Sequence, residues 1–299
     1  MLRGLSQGVL NMWKDTLESF IYIALELTIL FIVISFIISL LQGYIPYEKL
    51  ERKLSGKNRF IGAFAAILFA FITPFCSCST IPVVVNMLKR QMPFGIVMIF
   101  LFASPVLDPT ILTIMGVVLG WKVAIIYTIL TAIFSIIIGF LLEAFGFEKY
   151  VKNVVMTGYD DKTKTFSWSL AFRDTVELMK SVYPYLLIGA AIGAVIHGLV
   201  PTEWIARTFG SDHWWLVPVA AVVGIPLYIR LSSMIPISQI LIMKGMALGP
   251  VMAMMISSAG VSLPEIVLLK SIFKKELVAT FVVSVITMAT LSGFIFYLV

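Results

Sequence analysis

Histidine and cysteine are almost missing from this chain, with two of each in 299 residues. So few ligands, and no H-E-x-x-H, leave little for a zinc hydrolase. Two cysteines exclude a disulfide framework, and a disulfide between Cys76 and Cys78 would be strained. Charge is scarce as well: Asp, Glu, Lys and Arg make up 13% of residues, against roughly 25% in a soluble domain. No G-x-x-x-x-G-K-[ST] is present, which excludes ATP hydrolysis through a P-loop. The period-two alternation of a membrane β-barrel is absent. The N-terminus is amphipathic and has no short apolar run ending in a small-residue cleavage site, so it does not read as a signal peptide. The net charge of +6 comes from basic residues scattered singly or in pairs, which is no nucleic-acid footprint.

What is abundant is apolar. Sixty per cent of residues are hydrophobic and the mean hydropathy is +1.02. Several stretches approach or exceed the ~20 residues that cross a bilayer. These features predict an all-α polytopic membrane protein, neither an enzyme nor a cofactor carrier. Its expected partners are the lipid bilayer and a small-molecule solute, with homo-oligomerisation left open.

The chain also repeats itself. GYIPYEKLERKL from Gly43 matches GLVPTEWIARTF from Gly198, and PVVVNMLKRQMPFG from Pro82 matches PISQILIMKGMALG from Pro236. Gly43/Gly198, Pro46/Pro201, Glu48/Glu203 and Arg52/Arg207 coincide at a shift of 155 (43 to 198), and Pro82/Pro236, Met92/Met246 and Gly95/Gly249 at 154 (82 to 236). DTLES (15–19) and DTVEL (174–178) precede the two blocks in the same order. This divides the chain into repeat one (1–145), a polar linker (146–173) and repeat two (174–299). Spans are expected over 17–42, 122–144, 176–199 and 277–299. Interrupted segments are expected over 60–88, 94–120, 214–243 and 247–270. The loop 46–59 carries five basic and two acidic residues and its counterpart 201–213 one basic and two acidic. The positive-inside rule then puts the first inside and the second outside. Two inverted-topology repeats follow, with the linker cytoplasmic and either broken helices or re-entrant helical hairpins near the bilayer midplane.

In lipid, unwound backbone survives only where protein buries it or a cavity is lined by it. In two-repeat transporters such breaks mark the substrate site. Proline breaks the first segment within Thr73–Pro82. Helix-start signals follow each break: Ser79 or Thr80 before Pro82, Ser232 or Ser233 before Pro236, Asp108 before Pro109, and Ser262-Leu-Pro-Glu265 as a capping box. Both cysteines lie in the first break. In unwound chain, residues i and i+2 face the same way, so Cys76 and Cys78 are expected to face one ligand together. Two soft sulfur ligands suit Cu(I), trivalent arsenic or antimony, or a thiol-reactive sulfur species. Arg230 lies six residues before Pro236, as Cys76 lies six before Pro82. An arginine at that depth is costly and usually faces a cavity or a counter-charge. The expected substrate-binding set is Cys76, Cys78, Arg230, Ser79, Thr80 and Ser233, with Cys76 and Cys78 as metal or metalloid ligands. Glu26, Asp108 and Glu265 are candidates for coupling protons or for capping helices.

PFCSCSTIP followed by LKRQMPFG, with PLYIRLSSMIP followed by MKGMALGPVMAMMISSAGVSLPE, resembles the two-repeat bacterial permease family that includes the organoarsenical efflux permease ArsP. The P-L-Y-I-R and S-L-P-E forms resemble an uncharacterised branch of that family. The resemblance implies a multi-pass permease of the bacterial inner membrane and, for ArsP-like members, export of trivalent organoarsenicals with the motif cysteines as ligands. Those positions here are Cys76 and Cys78. The expected function is secondary-active movement of a small thiophilic solute, and arsenic resistance its expected phenotype. The alternative is a membrane thiol–disulfide or electron-transfer protein using the same cysteines.

Overall fold

The computed structural model describes residues 59–72, 77–89, 91–152, 213–226, 231–243 and 245–298, with scattered helical positions within 21–36 and 172–188. Among these the chain is helical and contains no strand; one isolated antiparallel bridge joins Val151 to Phe273. The helices are α1 (Arg59–Ile72), α2 (Ser77–Lys89), α3 (Phe94–Ala103), α4 (Pro109–Val118), α5 (Trp121–Ala144), α6 (Leu216–Gly224), α7 (Leu231–Met243), α8 (Leu248–Gly260), α9 (Leu263–Ile272) and α10 (Lys275–Tyr297). The expected spans over 17–42 and 176–199 lie almost wholly outside the described residues.

Among the described residues two helices are long and apolar enough to cross a membrane unbroken, α5 with 24 residues and α10 with 23. At about 1.5 Å per residue each exceeds the ~30 Å hydrocarbon core. On α5 the residues Ile125, Ile129, Ile133, Ile137 and Leu141 are all exposed, one helical turn apart. That stripe of large apolar side chains suits lipid. The opposite face is small or polar (Ala124, Thr131, Ser135, Gly139) and buried. Such residues allow close backbone approach between membrane helices. A β-carbon on Gly139 would lie 2.8 Å from the Gly95 carbonyl oxygen on α3. The hydroxyls of Thr128 and Thr131 donate to carbonyls four residues back, while the buried Ser135 hydroxyl has no hydrogen-bond partner among the described residues.

Helix α3 is apolar all round, and α8 is apolar but for Ser257 and Ser258. Every residue of α3 is buried, and nearly all of α8. A helix without a polar face belongs in the interior. Each is packed between its neighbours: α3 on α1, α2 and α5, and α8 on α6, α7 and α10.

The helix ends recur at one shift. α2, α4 and α5 begin at Ser77, Pro109 and Trp121, while α7, α9 and α10 begin at Leu231, Leu263 and Lys275, each 154 later (77 to 231). The turns recur too. Gln91 has φ 54° and Gly245 has φ 95°. Gln91 N–H donates to Leu88 O and Met92 N–H to Met87 O, as Gly245 donates to Ile242 O and Met246 to Leu241 O. Both are left-handed helix stops of the Schellman type. Between the halves the contacts are exchanged: α2 packs on α9, α7 packs on α4, and α5 packs on α10.

The long helices meet the Val151–Phe273 bridge by opposite ends, since α5 runs into it and α10 starts from it. Lys152 N–H donates to Ile272 O at 3.0 Å and Lys274 N–H to Tyr150 O at 2.9 Å. Gly95, near the start of α3, abuts Glu143 at the end of α5; Gly249, near the start of α8, abuts Tyr297 at the end of α10. Phe60 at the start of α1 sets its ring 6.0 Å from that of Phe140. The outer ends of α1 and α2 thus both lie at the C-terminal end of α5.

Candidate functional site

In chain order α1 is followed by α2, α3 by α4, α6 by α7 and α8 by α9; residues 73–76 and 227–230, between the first and third of these pairs, lie outside the described residues. The break expected within Thr73–Pro82 does not include the C-terminal part of that stretch. α2 already begins at Ser77, so Cys78, Ser79, Thr80 and Pro82 lie on a helix. Likewise α7 begins at Leu231 and contains Ser233 and Pro236. Each proline is the sixth helical residue and removes one N–H from its helix. Backbone groups at membrane depth gain from pairing, so the helix extends past the proline toward its start. Residues i and i+2 of a helix differ by ~200° about its axis; of the two cysteines, Cys78 lies on α2 and Cys76 lies outside the described residues. Cys76, Arg230 and Glu26 lie outside the described residues, as do the side chains of Cys78, Ser79 and Ser233.

The break between α3 and α4 is built from several anchors. Asp108 is the N-cap of α4, its Oδ1 accepting the Thr110 N–H at 2.8 Å, with Pro109 following. Proline at the first helical position loses no bond, because that N–H is an orphan anyway. Tyr127 of α5, fully buried, donates its hydroxyl to the Val106 carbonyl at 3.1 Å. Thr80 Oγ1 and Ser104 Oγ lie 3.2 Å apart, both buried. The start of α2, which carries Cys78, is therefore tied to the end of α3.

The break between α8 and α9 occupies the same place in the second half. Its N-cap is Ser262, the counterpart of Asp108 at the shift of 154 (108 to 262). The Ser262 Oγ accepts the Glu265 N–H at 3.4 Å and Glu265 Oε2 accepts the Ser262 N–H at 3.3 Å. Glu265 is completely buried. A carboxylate there faces the positive end of the α9 dipole. Buried sulfur is concentrated on α7 and α8. Met234, which stands where Thr80 stands in the first half, is buried, and so are Met252, Met254 and Met255. Ser238 Oγ lies 3.0 Å from Met255 Sδ and donates to the Met234 carbonyl. Thioethers are soft, polarisable groups.

The two breaks meet. A β-carbon placed on Gly260 would be 3.8 Å from Val106 Cγ2. Behind them the Phe102 and Phe281 rings stack at 4.6 Å, joining α3 to α10. Thr80, Asp108 and Glu265 are thus on elements that converge. The residues not singled out from sequence are Ser104, Val106, Tyr127, Met234, Ser238, Met255 and Gly260. Ser104 and Gly260 flank the expected breaks and could have been found there; Tyr127 and Ser238 sit in unremarkable apolar runs. Among the described residues no group of three or more His, Cys, Asp or Glu could hold a metal ion.

Membrane-length apolar helices packed with shorter buried helices define a helical membrane protein. The chain belongs to the ArsP_1 family, described as a predicted permease, whose profile matches residues 12–298. It is 28% identical to UPF0718 protein YraQ of Escherichia coli (strain K12), over 90% of this chain and 77% of that one. It is 26% identical to UPF0718 protein YcgR of Bacillus subtilis (strain 168), over 91% and 94%. A putative two-component membrane permease complex subunit of Streptococcus mutans is 24% identical over 81% and 79%. No solved structure matches the chain significantly. Family membership makes this protein a membrane permease.

Proposed function

We propose that the protein is a secondary-active, multi-pass permease of the bacterial inner membrane, built from two inverted repeats, that moves a small thiophilic solute through the place where its broken helices meet. The repeats are 1–145 and 174–299, joined by the linker 146–173. The observation that carries the reading is the reciprocal packing of α2 on α9 and of α7 on α4. Equivalent elements exchange partners in that way across a two-fold relation. Inversion is supported by α5 ending, and α10 beginning, at the same bridge. A re-entrant hairpin is supported for α1 and α2, whose outer ends lie at one end of α5.

Inverted repeats place substrate at their interface near the midplane. In this reading Cys76 and Cys78 supply sulfur from the first half, and Met234 and Met255 a thioether wall from the second. Thr80 and Ser233 lie near the solute, Arg230 balances an anionic form, and Glu265, Asp108 or Glu26 carries the coupling proton. The test is transport by a Cys76→Ser/Cys78→Ser variant, with growth inhibition by arsenite, methylated arsenicals, copper and sulfur anions compared between deletion and overexpression strains. The variant should insert normally and lose transport. Full transport would remove the thiols from the mechanism, and a trapped mixed disulfide with a thioredoxin-like protein would favour redox work instead.

A further inference from the structure

We propose that the end of the protein carrying the Val151–Phe273 bridge binds the phosphate of an anionic phospholipid. The proposal rests on residence in the membrane and is independent of where the solute binds.

The bridge draws like charges together. Lys149 and Lys152 lie on one side of it, Lys270, Lys274 and Lys275 on the other. Backbone pairing fixes the approach, through Lys152 N–H to Ile272 O and Lys274 N–H to Tyr150 O. Two of the ammonium groups reach across it: Lys152 Nζ donates to the Lys270 carbonyl and Lys274 Nζ to the Lys149 carbonyl. Lys149 Nζ also sits 5.1 Å from the Tyr150 ring centroid. Neither side chain is spent on an acid. The nearby carboxylates are Glu148 and Glu276, both exposed, and Glu143, which is turned toward Gly95. None of them forms an ion pair with these lysines among the described residues.

Crowded cations on rigid backbone need a counter-charge, and the surroundings say which. The cluster stands where two membrane-length helices leave the apolar layer, at the last residues of α5 and the first of α10. The exposed isoleucine stripe of α5 ends there in Leu141 and Phe145, the latter 70% exposed. A phospholipid can set acyl chains along that stripe and its phosphate among the lysines. Basic clusters at the membrane surface attract anionic lipid in this way, and a soluble anion would use only the lysines.

The experiment uses the full chain in neutral detergent. Phosphatidylglycerol, phosphatidylcholine and inorganic phosphate are added separately, and melting temperature and native mass spectra are recorded. Phosphatidylglycerol should raise the melting temperature by several degrees and leave a resolved adduct, while phosphatidylcholine and phosphate do neither. Lys270→Gln/Lys274→Gln/Lys275→Gln should lose the shift and most of the adduct. Lys122→Gln, at the other end of α5, should keep both. An equal shift with inorganic phosphate would assign the cluster to a soluble anion and overturn the proposal. So would an undiminished lipid adduct on the triple variant, or an equal loss in Lys122→Gln. If the triple variant misfolds, the wild-type comparison of the two lipids and phosphate still decides.

Discussion

Val106 and Gly260, 154 residues apart in sequence, lie close together: a β-carbon on Gly260 would sit 3.8 Å from Val106 Cγ2 and 3.0 Å from Val285 Cγ1. Gly260 has no room for a branched chain. Gly260→Leu should wedge the breaks apart and lower stability by roughly 1–3 kcal/mol, with transport falling further. Thermal unfolding in detergent and uptake by the same variant measure both. Unchanged melting and transport would mean that the breaks do not press on each other.

A matched pair of close approaches holds each half together. Gly139 meets the Gly95 carbonyl and Gly293 the Gly249 carbonyl, with built β-carbons 2.8 and 2.9 Å from the oxygens. Either glycine changed to alanine must push backbone from backbone. We expect a loss of about 1–3 kcal/mol for each. Comparison with Ala289→Gly, which thins the packing of a buried residue and adds the ~1 kcal/mol helix cost of glycine, separates overpacking from general sensitivity.

Gln91 stops α2 in a left-handed conformation, φ 54°, where Gly245 stops α7. A side chain in that region costs about 1–2 kcal/mol, partly offset by the greater unfolded-chain entropy of glycine. Gln91→Gly should therefore raise stability by roughly 0.5–1 kcal/mol, read as a higher melting temperature. Gly245→Gln should lower it.

The Thr80–Ser104 contact, 3.2 Å and buried, ties the start of α2 to the end of α3. A double-mutant cycle with Thr80→Val and Ser104→Ala should give a coupling of about 0.5–1.5 kcal/mol. Zero coupling would show that the two hydroxyls are held by other partners.

Opposite ends of α5 should face opposite sides of the membrane. In a background with Cys76→Ser and Cys78→Ser, a cysteine replacing Lys149 should react with a membrane-impermeant thiol reagent only from the cytoplasm. One replacing Lys122 should react only from outside. Labelling of both from one side would rule out α5 as a crossing.

Much of this was legible from residue order. Asp108-Pro109 and Ser262-Leu-Pro-Glu265 spell helix starts, because a short polar side chain followed by proline satisfies the orphan donors locally. The shift of 154 stood in Pro82/Pro236 and Gly95/Gly249 before any helix was placed. The start of α2 was not legible. Pro82 and Pro236 suggest breaks, yet the helices run through them from Ser77 and Leu231. One missing N–H costs less than unwinding several groups in an apolar setting. Tyr127 was invisible too, since its partner is a main-chain carbonyl twenty-one positions away, and carbonyls carry no sequence signature.

Composition and periodicity by themselves determined that the chain lives in lipid and that its spans are helical. Those properties follow from transfer free energy and local backbone satisfaction, which each segment decides alone. Only tertiary packing decided that α2 meets α9 and α7 meets α4, that Val106 reaches Gly260, and that lysines distant in sequence share one bridge. Side-chain volume and close glycine contacts set those pairings, and they exist only once both halves are folded against each other.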